Sequence, residues 1–171
     1  MEDVEQILAV GGAMETYLKA RDEGKIRYIG FSAHSEEAAL ALLDRFLFDS
    51  VLFPVNFVCY AQGKFGPRVI AKAQETGAAR LALKGLAHSV WGEGVERSVP
   101  KAWYRPIDDE SMMVQGLRFT LSEPITAALP PGDERLFLLA VDIASAFEPL
   151  TQEERATLVD STRETVPIFS I

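Results

Sequence analysis

Two histidines, His34 and His88, and a single cysteine, Cys59, are the side chains best suited to nucleophilic, acid–base or metal chemistry. They do not combine. Distant nitrogen and sulfur donors supply no ligand set for a metal, and no serine, threonine or cysteine lies in a nucleophile–base motif. Cys59 has no neighbouring His, Lys or Arg in sequence to lower its pKa, so it is expected as a small buried apolar residue rather than a reactive thiol. Gly92-Glu93-Gly94 lacks the third spaced glycine and the preceding strand of a dinucleotide fingerprint and is expected as loop. Anion binding is the chemistry that remains. Pro131-Gly132-Asp133 opens a helix, and the free amides of a helix N-terminus suit a phosphate, with Gly132 as the contact.

Positioning such residues requires a frame, and the chain alternates strand and helix signals. Met14, Tyr17 and Leu18 recur at helical spacing before Gly24, which predicts a first helix over roughly 12–23. Ile26 to Ser32 is rich in β-formers and leads into Ser35-Glu36-Glu37, a capped helix start, with Leu40, Leu43 and Leu47 as the buried stripe of a helix ending near Phe46. Val51 to Val55 is a continuous apolar run, as expected of a strand covered on both faces. A third helix follows over Pro67 to Thr76, stopped by Gly77, and then a third strand at Leu81-Ala82-Leu83. The connection from Leu86 to Pro106 is too long for an ordinary loop of this class, and Trp91, Trp103 and Tyr104 in it either cover a ligand or pack the loop onto a rim. Asp108 is expected to cap a fourth helix carrying Met113, Leu117 and Leu121, before a fourth strand at Ile125 to Leu129. Asp133 caps a fifth helix, and Thr151 with Glu154 forms a capping box for a sixth. This order predicts a single α/β domain over 1–171 built of parallel right-handed βαβ units. Four strands make half of an eight-stranded barrel and leave two edges and an inner face uncovered, which favours self-association or a separate covering partner.

The segment Gly24-Lys25-Ile26-Arg27-Tyr28-Ile29-Gly30-Phe31-Ser32 resembles the fifth-strand motif of aldo/keto reductases. Pro54-Val55-Asn56-Phe57, Leu83-Lys84-Gly85-Leu86-Ala87 and Leu117-Arg118-Phe119-Thr120-Leu121-Ser122 are similar to later motifs of that family, in the same order and spacing. The resemblance covers nearly the whole chain. It implies a parallel (β/α) half-barrel like strands 5–8 of a TIM barrel, carrying part of an extended groove for NADP(H). The family's catalytic aspartate, tyrosine, lysine and histidine lie upstream of the motif with which this chain opens, so none is carried over, and Lys84, His34 and His88 do not occupy their positions.

What the resemblance implies residue by residue is a partial cofactor site. Ser32 matches the serine that hydrogen-bonds the nicotinamide carboxamide. Ala33 stands where the family often has asparagine, and His34 either takes that contact or is a plain loop residue. Asn56 either faces the cofactor or forms a turn. At Lys84-Gly85 the family often has a stacking tyrosine; Lys84 either pairs with the pyrophosphate or is solvated. Gly132 lies on the adenosine-phosphate side, and Arg135 is either a 2′-phosphate contact or a solvated helix residue. The resemblance leaves two functions open. One is a truncated aldo/keto reductase that keeps part of the groove and is inactive alone. The other is a half-barrel interaction module that pairs with itself or with a separate N-terminal half.

The composition of the 171 residues, 48% hydrophobic and 25% charged, is that of a soluble globular core. A net charge of -8 opposes attraction to nucleic acid or anionic lipid, so neither is an expected partner. Met1 is followed by Glu2-Asp3 and not by a basic then apolar leader, and one cysteine makes no internal disulfide; both fit the cytoplasm.

Overall fold

The computed structural model describes all residues from Met1 to Ile171. Its centre is a four-stranded parallel sheet in the order β1-β2-β3-β6, with β1 at Gly30–Ser32, β2 at Ser50–Pro54, β3 at Ala79–Leu83 and β6 at Ala127–Ala128. No closed barrel forms. Phe31 lies opposite Val51, Leu52 opposite Leu81, and Ala82 opposite Ala128. Helices α3 (Glu36–Arg45), α5 (Pro67–Thr76) and α6 (Glu110–Ser122) make the crossovers between successive strands.

Side-chain alternation sorts the strand residues onto two faces. Val51 and Phe53 are buried with Ala39, Leu43, Val69 and Ala73 of α3 and α5, so this face is the helix-covered one. Leu52, Leu81 and Leu83 lie on the other face and are only partly covered. Ile29, just before β1, belongs to the helix layer: it is 4% exposed and packs with Val4, Met14, Leu42 and Phe48.

The N-terminal layer contains a helix that the periodicity did not reveal, α1 (Glu2–Leu8), followed by α2 (Ala13–Asp22). Seven residues are too short for a helical stripe to register, and α1 is held by tertiary contacts: Val4 is buried, and Glu5 takes a bidentate ion pair from Arg45 of α3. The strand expected from Ile26 begins only at Gly30, because the only strand beside it is β2, and Tyr28 is 70% exposed. Leu47 falls beyond α3 and is exposed, which removes it from the expected buried stripe.

A short helix α4 (Phe57–Ala61) follows β2, unexpected because Phe, Val and Tyr favour strands; Asn56 starts it by accepting the Cys59 N–H at 2.9 Å. The long connection after β3 is not irregular. It forms an antiparallel hairpin, β4 (Ala87–Val90) with β5 (Tyr104–Pro106). Asp109, not Asp108, caps α6, since Asp109 Oδ1 accepts the Met112 N–H while Asp108 pairs with Arg105 at 2.6 Å. The last strand is two residues long, although Thr126 and Leu129 N–H groups extend its ladder to Arg80 and Ala82 carbonyls. Asp133 caps α7 (Glu134–Ser145), and the Thr151–Glu154 capping box opens α8 (Gln152–Asp160), both as expected. No helix is long and apolar enough to cross a membrane.

Candidate functional site

The C-terminal ends of β1, β2 and β3 point to one side of the sheet, the side on which parallel barrels build their sites. β1 delivers Ser32, exposed and opposite Leu52, and then His34. Ser35, not His34, caps α3 by accepting the Ala38 N–H at 3.2 Å. The imidazole is thereby free, and it stacks on Phe169 with ring centres 5.1 Å apart and planes 7° from parallel. Partial burial, and then the nearby Lys84 charge, hold the His34 pKa below its usual value.

Lys84 is the first residue beyond β3 and has a left-handed backbone, φ 69°, which a β-carbon disfavours. Its ammonium lies 4.5 Å from the Tyr104 ring centre and 5.2 Å from that of Trp103, both on the hairpin side of the mouth. Burial lowers its pKa, and no carboxylate opposes that shift. Gly85 behind it is buried; a β-carbon there would come within 3.1 Å of Thr120 Oγ1. That hydroxyl donates to the Val55 carbonyl at 2.9 Å and so ties α6 to the end of β2.

Asn56 serves the turn: Oδ1 caps α4, and the side chain is 1% exposed, with Nδ2 lacking any hydrogen-bond partner. Cys59 is fully buried and its thiol pKa is raised by that burial. Phe169 closes the aromatic group. It stacks between His34 and Phe65, meets Trp103 edge-on, and leads to an Ile171 N–H bond onto the Gly63 carbonyl.

The structure thus gathers His34, Lys84, Trp103, Tyr104 and Phe169 at one mouth, with Gly85 buried behind Lys84, while Ser32 ends β1 on the same side of the sheet, with β2 between it and β3. Gly132 and Arg135 stand elsewhere. Gly132 is exposed, Asp133 occupies the α7 amide end by accepting the Leu136 N–H, and Arg135 pairs with Asp133 at 3.6 Å. Arg135 borders a depression of about 250 Å³ with Ser98, Val99, Pro106 and Asp108, under the hairpin base. No hydrogen bond, ion pair or ring contact links it to Lys84. Phe65 and Phe169 were missed by the sequence reading, and their signal was faint: Pro167-Ile168-Phe169 is an apolar triplet at the end of a polar tail. No cluster of three or more His, Cys, Asp or Glu side chains is present to hold a metal.

No family model and no curated protein matches this sequence. Solved structures do. The aldo-keto reductase AKR11C1 from Bacillus halodurans superposes in its holo form with a TM-score of 0.61 at 18% identity, over 92% of this chain and 58% of that one. Its apo form gives 0.58 at 19% identity, over 90% and 57%. The glycerol dehydrogenase AKR11B4 from Gluconobacter oxydans gives 0.53 at 20% identity, over 87% and 53%. The fold is therefore that of part of an aldo/keto reductase barrel. This chain spans less than two thirds of the length of those structures.

Proposed function

We propose that this chain forms the half-barrel of an aldo/keto reductase-like protein that holds part of an NADP(H) groove and does not reduce carbonyl compounds by itself. The observation that carries the reading is Lys84, a half-buried cation at the strand-end mouth with no carboxylate partner, on the same side of the sheet as the exposed Ser32. A cation so placed is free to take an oxyanion such as a pyrophosphate. Ser32 supplies a hydroxyl for the nicotinamide amide, and Gly85, lacking a side chain, leaves room for Thr120 to pack behind Lys84. Asn56, Gly132 and Arg135 complete the proposed set on the family pattern. Asn56 would contribute through the α4 turn it caps, and Gly132 with Arg135 would take the adenosine phosphate only after the Asp133 pair opens. When bound, the nucleotide would supply hydride; carbonyl reduction also requires a proton donor beside the hydride acceptor, and the family's tyrosine lies upstream of the matched motifs.

The experiment is a fluorescence titration of the 171-residue polypeptide with NADPH. Weak, saturable binding that Lys84→Gln reduces further is expected, since a groove with part of its frame is poorly preorganised. Tight binding contradicts the incomplete frame, and binding indifferent to Lys84 contradicts the site.

A second reading rests on the margins of the sheet. Tyr17 and Tyr28 are exposed and line a depression with Gly30, Phe31 and Ser32 of β1, and exposed Val141 lines another with Ala128 of β6. Such margins suit assembly with a second copy or with a separate N-terminal half, as a cytoplasmic interaction module.

A further inference from the structure

We infer that Lys84 is a carbonyl-capturing amine, one that forms a reversible imine with small aldehydes entering the mouth. The inference rests on the position of the side chain and does not require the nucleotide reading. Of the chain's lysines, Lys19 and Lys25 pair with Glu23, Lys72 pairs with Asp44 and Glu75, and Lys64 and Lys101 are exposed. Lys84 alone is half-buried without a carboxylate. Its backbone is held in the left-handed region although Gly85, which could adopt that conformation freely, is the next residue. Strain of this kind persists where surrounding structure imposes it, and here it directs the side chain to the hairpin rings.

The surroundings suit both halves of the step. Desolvation lowers the lysine pKa and increases the neutral amine available for attack. The titratable groups facing it are His34, whose pKa is lowered by burial and then by the Lys84 charge, and Tyr104, whose phenol is pushed up by burial and keeps its proton. The neutral Nζ adds to the carbonyl carbon, a nitrogen proton passes through solvent to the oxygen, and the carbinolamine, taking one further proton from solvent, loses water to leave a protonated C=N bond. Nothing is oxidised or reduced, and hydrolysis returns amine and aldehyde. The ring faces of Tyr104 and Trp103, 4.5 and 5.2 Å from Nζ, attract a cation, and the iminium is a cation like the ammonium it replaces. Their attraction therefore does not oppose the product.

The test needs no variant. The polypeptide is incubated with propanal and cyanoborohydride at pH 7 and pH 9, and the propylated lysines are mapped by peptide mass spectrometry against time. Lys84 is expected to label several-fold faster than Lys64 and Lys101 at pH 7, with a smaller advantage at pH 9. Labelling of Lys84 at or below the rate of Lys64 and Lys101 at pH 7 overturns the inference, whether the cause is a protonated amine or a closed mouth. NADPH binding is read in a separate titration, so either reading can fail while the other stands.

Discussion

Lys84 and Gly85 make opposite demands on the backbone at the mouth, and both can be measured. A β-carbon in the left-handed region costs about 1 kcal/mol or more, so Lys84→Gly should be more stable than Lys84→Ala by about that amount, the reverse of the order in a helix. Thermal unfolding of the two variants checks it, and equal stabilities would show that φ 69° is not strained. Gly85→Ala should instead lose roughly 1–3 kcal/mol, because the new methyl presses on the Thr120 hydroxyl that bonds to Val55. A third residue carries a pH signature. The Tyr60 hydroxyl donates to buried Glu123 at 2.8 Å, and burial first, then that bond, pushes its pKa from 10.0 to about 12. Its raised pKa contributes stability below pH 10, where both states keep the proton, and that contribution is lost as pH rises through 12. Melting temperature should fall across that window, and Tyr60→Phe should flatten the fall. Ser32, Lys84 and Gly85 at the strand ends were legible because strand–turn punctuation is local. Phe169 was not, since its contacts with His34, Phe65 and Trp103 join segments far apart in sequence.

At the scale of elements, the caps were the readable features and the short pieces were not. Ser35, Asp133 and the Thr151–Glu154 box are where their residue types placed them, because a cap is settled within three residues. The hairpin was hidden: Ala87–Val90 and Tyr104–Pro106 are short, and thirteen residues of loop separate them. α1 and α4 are too brief to show a period. Asp109 displaced Asp108 as a cap because Arg105 pairs with the earlier aspartate, a contact two adjacent acids do not announce. The α8 cap yields a test in acid. Hydrogen bonds from Arg118, then from the Thr151 backbone and side chain, lower the Glu154 pKa from 4.5 to about 2. A lowered carboxylate contributes stability present above pH 4.5 and lost as pH falls toward 2. Thr151→Ala should cost about 1 kcal/mol at neutral pH, and Glu154→Gln should weaken the acid dependence in that window. Acid unfolding curves of Glu154→Gln that overlay the parent would remove Glu154 from the account.

For the whole molecule, strand count was legible and strand environment only partly so. Four helix-linked apolar runs sufficed to indicate a parallel half-barrel, and the sheet order β1-β2-β3-β6 agrees. The face of residues around β1 was not legible, because a three-residue edge strand gives no alternation to count. The open architecture sets two expectations. The polypeptide alone should show no NADPH-dependent reduction of aldehydes, and turnover abolished by substituting one of its own residues would contradict the proposed division of labour. The β1 and β6 edges also leave backbone groups unpaired, while Leu52, Leu81 and Leu83 are only partly covered on the face away from the helices. Fully burying one such side chain is worth roughly 1.5–3 kcal/mol, so covering several is comparable with the net stability of a domain. Sedimentation velocity of the polypeptide at low micromolar concentration tests this most directly. The half-barrel account predicts a folded species heavier than the 18.8 kDa chain, most simply two copies covering each other's sheets. A single well-folded species at 18.8 kDa would contradict it, because the open edges and inner leucines would then be stable without a partner.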